Sequence, residues 1–346
     1  MQVQAKTLTP VDAPQKDPVI RVSQLNKSFK VYRGKRGILG AFRNLVSNDY
    51  KIVEAVKDIS FEIQHGEILG YVGPNGAGKS TTIKMLTGIL TPTSGEVLVN
   101  GLNPHQKRRE NARQIGVVFG QRTQLWWDLP LIESFDLLRY IYKIPAERYE
   151  RNLKTFRELL DLDEFLQTPV RQLSLGQRMR GDIAAALLHE PAILYLDEPT
   201  IGLDVVAKER LRGFIRAINQ ERGVTILLTT HDMSDIEQLC QRLLIIDKGS
   251  LIYDGGLEET RQRFGKQRTL IVDLESGYSN PTALQVPGAI ETRNEGRRRW
   301  LQFNRDEVSA SELISRVAER YPLQDLSIEE PEIEAIIRRI YEEGVN

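Results

Sequence analysis

Apolar residues in this chain fall into short unbroken runs separated by stretches of helical period. Residues 67–72, 115–119, 192–196 and 225–229 are such runs. Their length and lack of alternation suit strands buried on both faces. Residues 19–22 and 55–63 add two further strands ahead of them, with a basic segment between the two. After the run at 67–72 comes a glycine-rich turn, then Thr82, Ile83, Lys84, Met85 and Leu86 in a helical pattern. Strand and helix then alternate, which predicts an α/β domain over residues 19–260 on a largely parallel sheet. Residues 131–166 read as a helical block, predicting a helical subdomain bounded at about residues 122–180.

The pattern changes after Gly265. Short strands at 268–274, 300–303 and 323–328 alternate with helices, predicting a small α+β domain over residues 266–346. Ser309 and Glu312 have capping-box spacing, followed by an apolar face of Leu313, Ile314, Val317 and Tyr321. The last helix carries Ile333, Ile336, Ile337, Ile340 and Tyr341 on one stripe, which is read as a packing face. Residues 1–18 hold three prolines among polar residues without periodicity, and are expected to form a disordered tail, with a strand-edge extension as the alternative. No internal repeat or low-complexity tract interrupts this plan.

Composition narrows the functional classes. A length of 346 residues fits about two domains. The 47 Lys+Arg balance 47 Asp+Glu, so no global attraction to nucleic acid is expected and any basic surface must be local. No run approaches the ~18 consecutive apolar residues of a membrane helix, and the polar start lacks a signal-peptide core. A cytosolic location is the expectation. Cys240 is the only cysteine, which excludes an internal disulfide and a thiolate zinc cluster.

The chemistry begins at Gly73-Pro74-Asn75-Gly76-Ala77-Gly78-Lys79-Ser80, which fits the phosphate-loop pattern G-x-x-x-x-G-K-[ST] between a buried strand and a helix. A glycine-rich structural turn would match by chance in roughly 1% of chains this long, before that context is counted. Glycines let successive backbone N–H groups turn toward a β-phosphate, and the helix N-terminus adds partial positive charge. Lys79 then bridges phosphate oxygens, the Ser80 hydroxyl ligates Mg²⁺, and Thr81 reaches the α-phosphate. A dinucleotide site is excluded because the sixth position of Gly76-Ala77-Gly78-Lys79-Ser80-Thr81 is not glycine. Adenine and guanine both remain open at this point.

A second element is the apolar run ending in Asp197 and Glu198. Alone, such a pair is more often a solvated turn. Beside a phosphate loop, Asp197 can hold Mg²⁺ and Glu198 can polarise an attacking water.

Leu173-Ser174-Leu175-Gly176-Gln177, Gln121, Gly202-Leu203-Asp204 and His231 complete a set that resembles the ATP-binding cassette (ABC) ATPases in identity, order and approximate spacing, over roughly residues 19–260. The resemblance implies a P-loop cassette that binds ATP and Mg²⁺ and hydrolyses ATP. It makes Gln121 the Q-loop residue and a Mg²⁺ or water contact, His231 the switch histidine, and Asp204 the D-loop residue. It places Ser174, Gly176 and Gln177 against the nucleotide of an opposing cassette, implying a homodimer. Phe29 takes the position of the aromatic that stacks on the base, with Tyr32 as the alternative and an ordinary core role for Phe29 as the competing reading. Leu175 departs from the usual Leu-Ser-Gly-Gly-Gln signature, which bears on loop geometry more than on activity. Trp126 and Trp127 follow the Q-loop position, where the family meets its membrane subunit; a core role is the competing reading.

The implied function is an ATPase at the cytoplasmic face of the membrane that drives separate integral permease subunits. The Leu-Ser-Leu-Gly-Gln-Arg-Met-Arg signature, the basic insertion before Ala55 and the C-terminal domain resemble drug-resistance or polysaccharide exporters, so export is expected over import. A soluble ABC ATPase of ribosomes or DNA is disfavoured by the single cassette and single cysteine, and no nucleic-acid partner is expected. The segment from Lys30 to Lys51 is read either as a short basic amphipathic helix, with Ile38, Phe42, Leu45 and Val46 on its apolar side, suited to anionic headgroups or a permease edge, or as a solvated hairpin with a few core contacts.

Overall fold

The computed structural model describes residues 17–32, 50–120, 122–276 and 283–343. Three strands, β1 (Ile20–Tyr32), β2 (Tyr50–Ile63) and, after β3, β4 (Ser94–Val99), form an antiparallel sheet in the order β2-β1-β4. A six-stranded sheet contains β3 (Ile68–Val72), β5 (Ile115–Phe119), β6 (Ile193–Asp197), β7 (Thr225–Thr229), β8 (Arg242–Asp247) and β9 (Ser250–Gly256), in the order β5-β6-β7-β3-β8-β9. All its pairs are parallel except β8 with β9. The expected α/β fold is observed.

Helices supply the cover. In chain order they are α1 (Lys79–Leu86), α2 (Arg108–Ala112), α3 (Leu131–Tyr142), α4 (Ala146–Leu160), α5 (Leu175–Leu187), α6 (Val205–Arg222), α7 (Met233–Leu239) and α8 (Leu257–Phe264). Side chains of the parallel strands alternate between two apolar cores. Leu69, Tyr71, Tyr195 and Leu227 pack with α1 and the antiparallel sheet. Ile68, Val72, Leu194, Leu196, Ile226 and Leu228 pack toward the helices on the other face. The helical block breaks between α3 and α4 at Lys143, whose φ is +54°, just ahead of Pro145.

At its two ends the basic insertion follows the hairpin alternative and not the helix. Its two ends are strand, with Lys30 opposite Ile52, Val31 opposite Lys51 and Tyr32 opposite Tyr50 in the β1–β2 ladder. Cross-strand pairing extends the hairpin well past the expected end of the first strand. Ile38, Phe42, Leu45 and Val46 lie outside the described residues, as do residues 1–16 of the expected tail.

The C-terminal region contains β10 (Gln267–Leu274), β11 (Ala289–Glu295), β12 (Arg298–Asn304), α9 (Ala310–Ala318), β13 (Leu323–Glu329) and α10 (Ile333–Glu343). Its antiparallel sheet has the order β11-β12-β10-β13. The sheet and α9 share their own apolar core through Leu270, Val272, Leu301, Phe303, Leu313 and Val317. Ser309 caps α9 by accepting from the Glu312 N–H, but the Glu312 carboxylate pairs with Arg316, so the reciprocal half of the capping box is not made.

The isoleucine stripe of α10 belongs elsewhere. Ile333, Ile336, Ile337 and Ile340 join Ile236 and Leu239 of α7, Tyr253 of β9 and Phe264 of α8 in the helix-side core of the parallel sheet. Because Ile337 is buried in that core, Ile337→Ala is expected to cost about 2–4 kcal/mol. It should raise amide exchange in α7 and α8 while β10 and β12 stay protected. Faster exchange confined to β10 and β12 would contradict this placement.

Candidate functional site

Parallel pairing puts the C-terminal ends of β3, β6 and β7 at one edge of the sheet, and the loops that follow them carry the candidate residues. The loop after β3 is shaped by crowding. A Cβ on Gly73 would lie 2.5 Å from the Ile246 carbonyl oxygen, and one on Gly78 2.4 Å from that of Ala55. Gly78 also has φ +112°, which side-chain-bearing residues rarely adopt. Within the loop the Ala77 N–H donates to Pro74, and the Gly249 N–H reaches back to Ala77. Helix α1 then starts with no side-chain cap and no acidic residue in its first turn. Such a helix end favours an anion.

Lys79 is buried, with Nζ donating to the carbonyls of Gly73 at 2.5 Å and Pro74 at 3.2 Å. Burial lowers its pKa, and the charges of Glu198 and then Asp197 oppose that shift. The next residue, Ser80, donates its hydroxyl to Asp197 Oδ2 at 3.1 Å, while Thr229 donates to Asp197 Oδ1 at 2.5 Å. Thr81 stands half-buried on the first turn of α1.

Glu198 has φ +58°, and its N–H donates to the Thr229 carbonyl. Its Oε1 is 2.8 Å from His231 Nε2. A cavity of about 400 Å³ is lined by Ser80, Lys84, Ile89, Phe119, Gly120, Arg122, Asp197 and Glu198. Gln121 lies outside the described residues, but its neighbours Gly120 and Arg122 both line that cavity.

The remaining candidates stand apart from this cluster. Ser174 and Gln177 bond each other: Ser174 Oγ accepts from the Gln177 N–H at 3.2 Å, and Gln177 Oε1 accepts from the Ser174 N–H at 2.9 Å. This capping box starts α5. Asp204 caps α6 by accepting from the Ala207 N–H at 2.8 Å. Phe29 lies on β1 opposite Val53, partly exposed, with Lys27 Nζ 5.1 Å from its ring centroid. Trp126 and Trp127 are 37% and 50% exposed rather than core residues, and the Arg178 guanidinium stands over Trp127.

Residues 56–201 match the family model for ABC transporters. The methionine import ATP-binding protein MetN of Latilactobacillus sakei is 34% identical over 280 residues, spanning 79% of this chain and 81% of MetN. The chain belongs to the ABC transporter ATP-binding proteins. The ABC transporter ATP-binding protein NatA of Bacillus subtilis is 33% identical over 208 residues, covering 60% of this chain and 84% of NatA. Among solved structures, an ATP-binding subunit of an ABC transporter superposes with a TM-score of 0.60 at 27% identity, covering 71% of this chain and 93% of the other. A dimeric ATP-binding cassette, MJ0796, bound to ADP and Pi in a post-hydrolysis state, has a TM-score of 0.57 at 26% identity, covering 69% and 98%.

An ABC cassette is an ATPase, and ATP is accordingly its nucleotide. Its donor set can accommodate Mg²⁺: Ser80 and Asp197 offer adjacent hard oxygen ligands, and such a site needs only one or two protein ligands beside the phosphates. Among the described residues no cluster of three or more His, Cys, Asp or Glu could hold a metal, so a site built wholly from such side chains is not formed there.

Several supporting residues went unread in the sequence. Thr229 orients Asp197, and Lys84 and Arg122 bring positive charge to the cavity. Asp235 is fully buried; it accepts from Thr200, Thr230 and Arg212 and so ties the loop after Glu198 to α7. Asp182 on α5 holds the loop after Gln121, accepting from the Thr123 hydroxyl at 2.9 Å and the Gln124 N–H at 3.0 Å.

Burial raises the Asp182 pKa from 3.8 to about 6, against the hydrogen bonds from Gln124 and Thr123. A raised carboxyl pKa means the folded chain holds the proton more tightly, so stability falls as pH rises from about 4 to about 6 and then levels. Asp182→Asn keeps the accepting Oδ1 but cannot ionise. Its stability relative to the parent, measured by urea unfolding, is expected to rise across that window by up to ~3 kcal/mol. Parallel pH profiles for the two proteins would rule this out.

Proposed function

We propose that this cassette is the ATP-hydrolysing subunit of an exporter, acting as a head-to-tail pair on separate membrane permease subunits. The observation that carries the catalytic assignment is the Glu198–His231 pair beside an Asp197 carboxylate already held by Ser80 and Thr229. Lys79 exchanges its carbonyl partners for phosphate oxygens when ATP enters the loop. Ser80 and Asp197 hold Mg²⁺, which when bound neutralises charge developing across the β- and γ-phosphates. Glu198 accepts a proton from the water that attacks the γ-phosphorus, and His231 orients that carboxylate and the γ-phosphate. Gln121 takes the water or Mg²⁺ contact, and Phe29 stacks on the adenine.

A single copy supplies one phosphate loop and one signature. Ser174 and Gly176 complete the site of a second copy, with Asp204 beside them, and twofold symmetry then closes two sites. The solved MJ0796 cassette is itself dimeric, which supports this reading. Among the described residues no helix is long and apolar enough to cross a membrane, so the transport path is assigned to partner subunits at whose cytoplasmic face the cassette sits.

Export rests on the signature Leu-Ser-Leu-Gly-Gln-Arg-Met-Arg, the basic insertion and the C-terminal region, read as an accessory domain. The similarity to MetN, whose name states import, favours the alternative. Proteoliposomes holding the purified complex with its cassettes outward decide between them. Export predicts ATP-driven accumulation of substrate in the lumen, and import predicts its loss from the lumen.

Glu198→Gln is expected to bind ATP normally and to hydrolyse it about 10²–10⁴ times more slowly, the usual contribution of a positioned base. Near-parental turnover in protein free of host ATPases would refute the assignment. The same variant should form dimers only when ATP is added, and Ser174→Arg in that background should abolish them. Dimers that form equally without nucleotide would sink the head-to-tail arrangement.

A further inference from the structure

We infer that Leu175 is a positioning residue for ATP hydrolysis: it seats on Gly202 and fixes the signature loop against the loop that follows Glu198. This rests on the proposed reading that two copies enclose the nucleotide.

The contact is steric and specific. Leu175 Cδ2 lies 2.5 Å from where a Cβ on Gly202 would stand, so any side chain at 202 would displace it. Gly202 also has φ +71°, where glycine carries no steric penalty. At the next position a Cβ on Gly176 would stand 3.4 Å from Leu203 Cδ2. Two successive residues of the signature therefore meet two successive residues of the 198–204 loop. Leu203 in turn packs against the helix-side core. A glycine in place of Leu175 would have no side chain to reach Gly202.

The loop that receives Leu175 is anchored at its other end. The Leu203 N–H donates to the Thr200 carbonyl, and the Thr200 hydroxyl donates to Asp235 at 2.5 Å. Asp235 also accepts from Thr230, the residue before His231, and from Arg212. Glu198 closes the circuit through His231. A displacement of Ser174 is thus carried through Leu175 and Gly202 into the loop that carries Glu198.

In a head-to-tail pair these two ends serve different nucleotides, since Ser174 faces the partner's ATP and Glu198 faces its own. Leu175 makes the two half-sites of one chain move together. Its loss leaves each half-site chemically intact but misaligns the base when the signature engages. That misalignment lowers kcat without weakening the monomer's hold on ATP.

The test is a double-mutant cycle on the full-length chain with Leu175→Gly, Gly202→Ala and their combination, plus Leu175→Met. Circular dichroism and nucleotide affinity of the monomer, read with a fluorescent ATP analogue, check that each variant folds. Leu175→Gly is expected to lower kcat about 10-fold with KM for ATP within about twofold of the parent, and Leu175→Met to restore it. Gly202→Ala should cost kcat about 10-fold in the parent background and under about threefold in the Leu175→Gly background, where only backbone strain remains. An equal cost in both backgrounds, or a parental kcat for Leu175→Gly, would overturn the inference. Failure of the two-copy reading shows separately, because Glu198→Gln would then form no ATP-dependent dimer whatever residue follows Ser174.

Discussion

Parallel register is the constraint on which the site depends. Asp197 ends β6 directly opposite Thr229 of β7, and β7 in turn pairs with β3, which leads into the phosphate loop. A shift of β6 by one residue would turn Asp197 to the other face of the sheet and bring an apolar residue to Ser80. The near-continuous burial of β3, β6 and β7 enforces that register, because both faces of each strand are packed. Core packing therefore decides where the charges stand, and the charges add local order. Asp197 and Glu198 partly compensate the burial of the Lys79 ammonium.

That compensation leaves a local cost on the chain. Glu198 sits at φ +58°, a conformation that disfavours a residue with a Cβ by about 1–2 kcal/mol. Its N–H bond to Thr229 and its His231 contact hold it there, and Thr200 fastens the turn to Asp235 two residues later. The Arg212–Asp235 pair is deeply buried, so removing either partner would leave an uncompensated charge in the core. Strain at Glu198 is thus borne by a buried ionic knot of Arg212 and Asp235.

Residues whose proposed chemistry is written in local order were legible in the sequence as candidates. The phosphate loop declares itself through closely spaced glycines, and Asp197 and Glu198 through an apolar run that stops at two carboxylates. Thr229, Asp235 and Asp182 were not legible, because their partners lie far away in sequence and threonines or aspartates at such positions are ordinary. The strand β4 and the hairpin of β8 and β9 went unread, although Lys248 and Gly249, both at positive φ, form the two-residue turn such a hairpin requires. The basic insertion stayed open between helix and hairpin for a related reason. Lys30 and Lys51 fit either, and their partners across the β1–β2 ladder decide the matter for its two ends. For α10 the apolar stripe was plain, while the surface it covers could be known only from the tertiary fold.

Through that surface the C-terminal region is attached to the ATPase core at both of its ends. The chain leaves through α8, builds the four-stranded sheet, and returns through α10 onto α7 and α8. Glu237 of α7 fastens the return, accepting from Arg261 of α8 at 2.7 Å and from the Ile333 N–H at the start of α10 at 3.3 Å. Helix α7 begins two residues after His231, and Asp232 between them is held by Lys208 of α6. A load on the sheet of β10 to β13 thus has a short mechanical route through α10 and α7 to the segment bearing His231. Because α10 shares the core of the parallel sheet rather than that of β10 to β13, that load cannot be relieved by the C-terminal sheet rotating freely on a linker: it must either move α7 or expose the isoleucines of α10 to water.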